Sequence, residues 1–251
     1  MSIVTQTNDR AASITFEIGK VNALGKAQLA ELSEAIDSAS KHDVPLLVLR
    51  SGGEGAFCAG ADLSEFRSAT SMAEYRELFD GFARLLLSIR RARQIVIARA
   101  QGSAVGGGVG ILACADYVVG TRAVSVRLSE LTIGIGPYVI GPAVERKIGT
   151  AHFSALSLDA QPRDAEWARR VGLLSQLVET SADLDPAIDA FIATTANTPL
   201  ESVFAWKQTL WEGTDNWPEL LTRRAMQVSQ LSNDVRNRRN SSQASADLRR
   251  K

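Results

Sequence analysis

The sequence predicts an α/β core followed by a helical appendage, and three observations carry that expectation. Short apolar runs alternate with helical periodicities along most of the chain, in the repeated order strand, strand, helix. Two glycine-rich turns, at Gly60-Ala61 and at Gly107, each follow a strand-like run and precede a helix-like one. From Leu184 onward only helical patterns remain. At 251 residues the chain is long enough to bury a substantial core.

The elements follow in order. Ile3 to Thr7 and Ser13 to Ile18 read as strands around the polar turn Asn8-Asp9-Arg10. The stretch Ala12-Ser-Ile-Thr-Phe-Glu-Ile18 alternates with the period of a half-buried strand. Val21-Asn-Ala-Leu24 is a loop. Gly25-Lys26 resembles the end of a P-loop, but its first glycine is misplaced and Ala27 cannot ligate magnesium. Leu29, Leu32 and Ile36 mark an amphipathic helix to about Ser40. Leu46 to Leu49 is a strand, and the glycine-rich loop Ser51 to Asp62 ends where Asp62 or Ser64 can cap a helix. Tyr75, Leu78, Phe82, Leu85 and Leu86 share one face of a helix from Met72 to Arg91. Ile95 to Ala98 is a buried strand leading into Gly106-Gly-Gly108 and an apolar helix, and Tyr117 to Gly120 and Val124 to Val126 are two more strands.

Leu128 to Pro137 is a loop with one acid, Glu130, in an apolar setting. Helices are expected at Tyr138 to Ile148, His152 to Leu158 and Arg163 to Val171, then a strand at Leu174 to Val178. Leu184 to Thr195, Leu200 to Trp211 and Pro218 to Leu231 complete the helices. Trp167, Trp206, Trp211 and Trp217 lie in helical segments and read as packing residues. The polar, basic tail from Asn233 to Lys251 reads as a solvated or disordered terminus.

Composition excludes several classes. Acidic and basic residues balance at 28 each, so charge gives no reason to expect nucleic acid or a membrane surface. Cys58 and Cys114 sit in apolar surroundings, which suits buried reduced thiols and a cytoplasmic location. No Cys/His spacing suggests a metal site, and His42 and His152 are far apart. Met1 to Arg10 lacks the basic and apolar regions of a signal peptide. The uncharged run Gln101 to Ala115 is too short and too rich in glycine to span a bilayer.

The glycine cluster leaves backbone N–H groups uncovered at a helix start, where negative charge is stabilised. A P-loop requires Lys and then Ser or Thr after its last glycine, whereas Gly108 and Val109 follow Gly107. The dinucleotide fingerprint requires glycine where Ile111 sits. Two readings stay open: glycines that merely let a helix pack closely on a sheet, or two turns whose N–H groups converge on one oxygen as an oxyanion hole.

Phe57-Cys-Ala-Gly-Ala-Asp-Leu63 together with Gln101-Gly-Ser-Ala-Val-Gly-Gly-Gly108 resembles the crotonase family of enoyl-CoA hydratases and isomerases. Val21-Asn-Ala-Leu24 and the segment from Cys114 to Val119 are similar to flanking stretches of that family. The resemblance implies a crotonase-type spiral of strand-strand-helix units over residues 1–195. It implies a helical C-terminal region, 196–251, that drives homotrimers or homohexamers. It implies an acyl-CoA thioester as substrate, with coenzyme A entering as part of the substrate and no separate cofactor. By motif position, the N–H groups of Ala61 and Gly107 would hold the thioester oxygen. Ala23, Ala59 and Asp62 would lie along the coenzyme, and Lys20 or Lys26 would meet its phosphates.

The family's hydratases carry two glutamates that grip one water. The first position is Gly110 here and the second is Glu130. The commonest activity of the family, hydration of a 2-enoyl-CoA as in fatty acid metabolism, is the first expectation. Double-bond isomerisation needs only one proton shuttle, which Glu130 could supply alone, and a non-catalytic acyl-CoA-binding protein is a third reading. Asp116 reads as structural, and Tyr138 as either a core aromatic or a substrate contact.

Overall fold

The computed structural model describes residues 2–248, with side chains through residue 242. The chain opens with the antiparallel pair β1 (Ser2–Thr7) and β2 (Ala11–Glu17), closed by Asn8, whose Oδ1 accepts the N–H groups of Arg10 and Ala11. Helix α1 (Lys26–Ala39) and strand β3 (Leu46–Ser51) follow, then α2 (Leu63–Ser68) and α3 (Met72–Arg91). Strands β4 (Ile95–Ala100) and β5 (Ala104–Val105) lead into α4 (Gly107–Cys114). Next come β6 (Tyr117–Thr121), β7 (Ser125–Arg127) and a 3-10 turn, Glu130–Ile133. Helices α5 (Gly141–Ile148) and α6 (Thr150–Asp159), strand β8 (Arg163–Asp164), α7 (Ala165–Arg170) and β9 (Gln176–Val178) complete the core. Helices α8 (Leu184–Thr195), α9 (Leu200–Leu210) and α10 (Trp217–Leu248) end it.

Six strands form one sheet in the order β1-β2-β3-β4-β6-β9, parallel except for the β1-β2 pair. Parallel strands are covered on both faces, so both side-chain sets must be apolar. Ala12, Ile14 and Phe16 of β2, Leu47 and Leu49 of β3, and Val96 and Ala98 of β4 enter the main core. Their neighbours Ala11, Leu46, Val48 and Ile97 point to the opposite face. That face is closed by Leu184 and Ile188 of α8, beside Phe191 stacked on Tyr117 at 4.4 Å.

The second strand of each unit builds a smaller ladder. Leu24 bridges to Ala61, Cys58 bridges to Ala104, β5 pairs with β7, and β7 with β8. Each turn of chain is thus pinned to the next, which is the spiral expected from the repeated strand-strand-helix order. Helix α10 lies along α3 and buries Leu221, Ala225, Val228 and Ser232, a helical stripe of four- and three-residue steps.

Several boundaries differ from expectation. The helix expected from Arg163 begins at Ala165, because Arg163 pairs with Val126 and Asp164 caps the helix by accepting the N–H of Trp167. The helix expected from Tyr138 begins at Gly141. The tail expected to be solvated or disordered is solvated, with residues 237–242 exposed, and is helical rather than disordered: it continues α10 from Asn233 to Leu248, held by buried Ser232, by Arg236 donating to Thr70 O (2.6 Å) and by Arg239 donating to Ile133 O (3.3 Å). Arg249, Arg250 and Lys251 lie outside the described residues. Trp211 and Trp217 pack edge to face at 5.6 Å, but Trp206 is 59% exposed and is no core residue. Both cysteines are free and buried, and burial pushes their thiols up to about 12.

One polar contact bolts the C-terminal helices to the sheet. Lys207 and Asp116 are both buried, with Nζ and Oδ2 2.9 Å apart. Lys207 also donates to the carbonyls of Ile89 and Gln94, and Asp116 accepts from Trp211 Nε1 and Val96 N–H. Lys207→Ala strands the Asp116 charge in the interior and should cost about 3–5 kcal/mol. Urea denaturation would read it, and Asp116→Asn added to Lys207→Ala should then cost less than the two single losses summed.

Candidate active site

The two glycine turns touch through bare backbone. Gly60 has φ +83°, and a Cβ there would stand 2.6 Å from Val105 O and 2.9 Å from Gly107 N. A Cβ on Gly108 would stand 2.2 Å from Cys58 O. No L side chain fits either place, so glycine is what lets the loop after β3 sit against the start of α4. Val105 N–H donates to Cys58 O and Cys58 N–H to Ser103 O, which fixes the register of the approach.

The same ladder frees two donors. Leu24 N–H donates to Gly60 O and Asp62 N–H to Leu24 O, so these bonds flank Ala61 and leave its own N–H on the other side. Gly107 is the first residue of α4, and no intrahelical acceptor exists for its N–H. Among the described residues, no hydrogen bond uses the N–H of Ala61 or of Gly107. Ala61 and Gly107 line one cavity of about 130 Å³.

Glu130 shares that cavity. It opens the 3-10 turn, and its Oε1 lies 3.0 Å from where a Cβ on Gly106 would be, beside the second turn. Its Oε2 is buried and has no hydrogen-bond partner. Burial pushes its pKa up to about 7, against the pull of the Glu130 and Ser129 backbone N–H groups. A carboxyl group with that pKa can take or give a proton near neutrality.

The rest of the lining is apolar. Phe66, Phe79, Phe82, Ile133, Ile135, Ile140 and Val228 supply most of its walls. Glu130 is the one carboxylate among the lining residues. Gly110 is buried inside α4, and a Cβ there would stand 2.6 Å from Ile140 Cγ2. Ile140 therefore occupies the space into which a side chain at position 110 would grow.

The remaining sequence candidates are placed differently. Ala59 lines the cavity and donates its N–H to Val21 O, next to the loop that carries Ala23. Ala23, Asp62 and Lys26 do not line it. Asp62 caps α2, accepting Ser64 N–H, Ser64 Oγ–H and Glu65 N–H. Lys26 opens α1 and pairs with Glu77 at 3.1 Å. Lys20 is exposed, and Tyr138 joins the lining. Asn22, buried with φ +51°, ties this region together by accepting Ile18 N–H and donating to Gly52 O and Ala56 O. Sequence reasoning missed the walls. Phe82 could have been found from the apolar stripe of α3, whereas Ile140 and Val228 are brought in by helix packing that local pattern does not encode. Asp116 is structural, as its pairing with Lys207 shows.

The geometry agrees with what the chain is similar to. Residues 6–245 match the family model for enoyl-CoA hydratase/isomerase. A probable enoyl-CoA hydratase of Rhizobium meliloti (strain 1021) is 27% identical over 195 residues, covering 75% of this chain and 73% of that one. The mitochondrial methylglutaconyl-CoA hydratase of Mus musculus is 32% identical over 168 residues, 66% of this chain, and the match spans about half of that protein's length, 53%. The crystal structure of enoyl-CoA hydratase from Bacillus halodurans has the same fold, with a TM-score of 0.82 over 93% of this chain and 94% of that one at 22% identity. A putative enoyl-CoA hydratase/isomerase (crotonase) from Legionella pneumophila has a TM-score of 0.78 at 29% identity, covering 85% and 83%. With the two bare turns, the buried glutamate and a match along nearly its whole length, the chain belongs to the enoyl-CoA hydratase/isomerase family and has the crotonase fold.

Proposed function

We propose that the protein shifts the carbon–carbon double bond of an enoyl-CoA, with Glu130 as the sole proton carrier. The observation that carries this is the single carboxylate of raised pKa beside two unused N–H donors, with Ile140 filling the space over Gly110. The thioester oxygen accepts hydrogen bonds from Ala61 N–H and Gly107 N–H. The Glu130 carboxylate takes a proton from the α carbon of a 3-enoyl chain. The electron pair of that C–H bond moves into the carbonyl, and the enolate oxygen is held by the two donors. Glu130 then returns the proton to the γ carbon, and the double bond ends between the α and β carbons. Apolar walls exclude the water that would compete with this transfer.

Hydration of a 2-enoyl-CoA is the second reading, favoured by the names of the relatives. It asks Glu130 alone to position and deprotonate water. Along the coenzyme we place Ala23, Ala59, Asp62 and Lys26, with no cofactor beyond coenzyme A itself. Assembly as a homotrimer or homohexamer through residues 196–251 and a cytoplasmic setting belong to the same proposal. Among the described residues no helix is long and apolar enough to cross a membrane.

Purified protein assayed with trans-3-enoyl-CoA should isomerise it, and Glu130→Gln should lower kcat by about 10²–10⁴-fold. Hydration of trans-2-enoyl-CoA at the greater rate would instead establish the second reading. The base is active only when ionised, so kcat/KM should rise with pH through a limb near pH 7 and level off above it, and that limb should be missing from the residual rate of Glu130→Gln. A Cβ on Gly107 would stand 2.2 Å from Phe82 Cε1, so Gly107→Ala must displace either the ring or the donor. Its kcat should fall by about 10²–10³-fold, the scale of one lost oxyanion donor. Circular dichroism should show the fold retained.

A further inference from the structure

Beyond the active-site cavity lies a second one of about 210 Å³, between α2, α3 and α10. Phe66, Ile133 and Ile135 line both cavities, so the two adjoin across these side chains. The first cavity is apolar apart from Glu130, Ser129, the Tyr138 phenol and the turn backbone. The second carries Arg67, Arg236 and Arg239.

These three guanidinium groups form no ion pair among the described residues. Arg236 donates to Thr70 O and Arg239 to Ile133 O, leaving most of their five N–H donors each unused. Arg67, in the last turn of α2, has no hydrogen-bond partner among the described residues. Three nearby acids already accept other donors, Glu65 Oε2 taking the N–H of Lys26. Glu74 Oε2 accepts Thr70 N–H, Thr70 Oγ1–H and Ser71 N–H at the start of α3, and Asp234 accepts from Gln230.

A phenol completes the lining. Tyr75 is 3% exposed, yet its hydroxyl has no hydrogen-bond partner among the described residues. Burial raises its pKa, the charges of Arg236 and Arg239 pull the other way, and the Glu74 carboxylate adds to the rise, so both cations and one engaged acid act on the phenol. Among the described residues, this phenol and the three guanidinium groups have no side-chain acceptor. A hydrocarbon tail entering it would desolvate these groups and return nothing. A carboxylate would accept charge-assisted, bidentate hydrogen bonds.

We propose that this second cavity is a subsite for a carboxylate at the far end of the acyl chain, so that the preferred substrates are coenzyme A thioesters of unsaturated dicarboxylic acids. This rests on the enoyl-CoA activity proposed above. The chain passes Glu130, crosses between Phe66 and the Ile133–Ile135 segment, and ends on Arg67, Tyr75 and the two α10 arginines.

The test separates binding from reaction. Calorimetry of the full chain with adipoyl-CoA and hexanoyl-CoA, which differ only in the terminal carboxylate and carry no double bond, reads the subsite even if the protein catalyses nothing. Adipoyl-CoA, or its longer homologue suberoyl-CoA, should bind at least about tenfold more tightly, the scale of one hydrogen bond to a charged group. Arg67→Gln and Arg236→Gln should each remove most of that preference while leaving hexanoyl-CoA affinity unchanged, and Arg67→Lys should restore part of it. With 3-hexenedioyl-CoA and 3-hexenoyl-CoA, the same variants should raise KM for the diacid alone. Equal affinity for diacid and monoacid in the parent protein overturns the proposal. So does a parallel loss in both ligands and in free coenzyme A, which would give these arginines to the coenzyme phosphates. Preferential diacid binding without turnover would retain the subsite and remove the isomerase activity.

Discussion

The site depends on a contact between two stretches of main chain. Gly60 stands against Val105 O and Gly107 N at distances that no Cβ tolerates, and Gly108 stands against Cys58 O in the same way. The approach brings two N–H groups to one cavity while the ladder around Ala61 uses up the neighbouring donors. Because the donors are backbone, they are already oriented before any ligand arrives, which is the condition under which hydrogen bonds stabilise a developing charge best. The spiral exists, in effect, to hold that contact in register: each second strand bridges the next, so the two turns cannot slide without breaking the ladder.

Burial then decides what the one acid can do. Glu130 has an orphaned oxygen and a wall of phenylalanine, isoleucine and valine around it, and its proton is held to near neutrality. A second carboxylate at position 110 would both lower the room for Ile140 and raise the cost of ionising Glu130, since like charges in a dry cavity oppose one another. Packing and protonation are therefore set by the same few side chains. Ile140 acts on the chemistry without a polar atom.

Much of this was legible in the chain because it depends on short-range pattern. The period-two alternation of β2, the stripe of α3 and the two glycine turns each declare themselves within a few residues. Glu130 stood out as one acid in an apolar loop. What failed to show depends on partners distant in sequence. The stretch after Asn233 is polar enough to read as solvated, yet it is helical because α3 lies beside it and Thr70 and Ile133 offer carbonyls to its arginines. Arg163 reads as helical until Val126 claims it as a strand partner. Lys207 looks like any exposed helical lysine, since nothing near it in sequence reveals Asp116. Trp206, read as core, faces outward.

Helix α10 has a consequence for how the protein comes into being. Both glycine turns, Glu130 and the strands that hold them are synthesised before α10. Val228, which lines the cavity, and Arg239, which reaches the 3-10 turn that Glu130 opens, come after them. A nascent chain whose α10 has not yet emerged would carry the two turns and Glu130 in an open, wet cleft. The cavity closes only when α10 packs along α3, so the proton transfer proposed for Glu130 has to wait for that helix to dock.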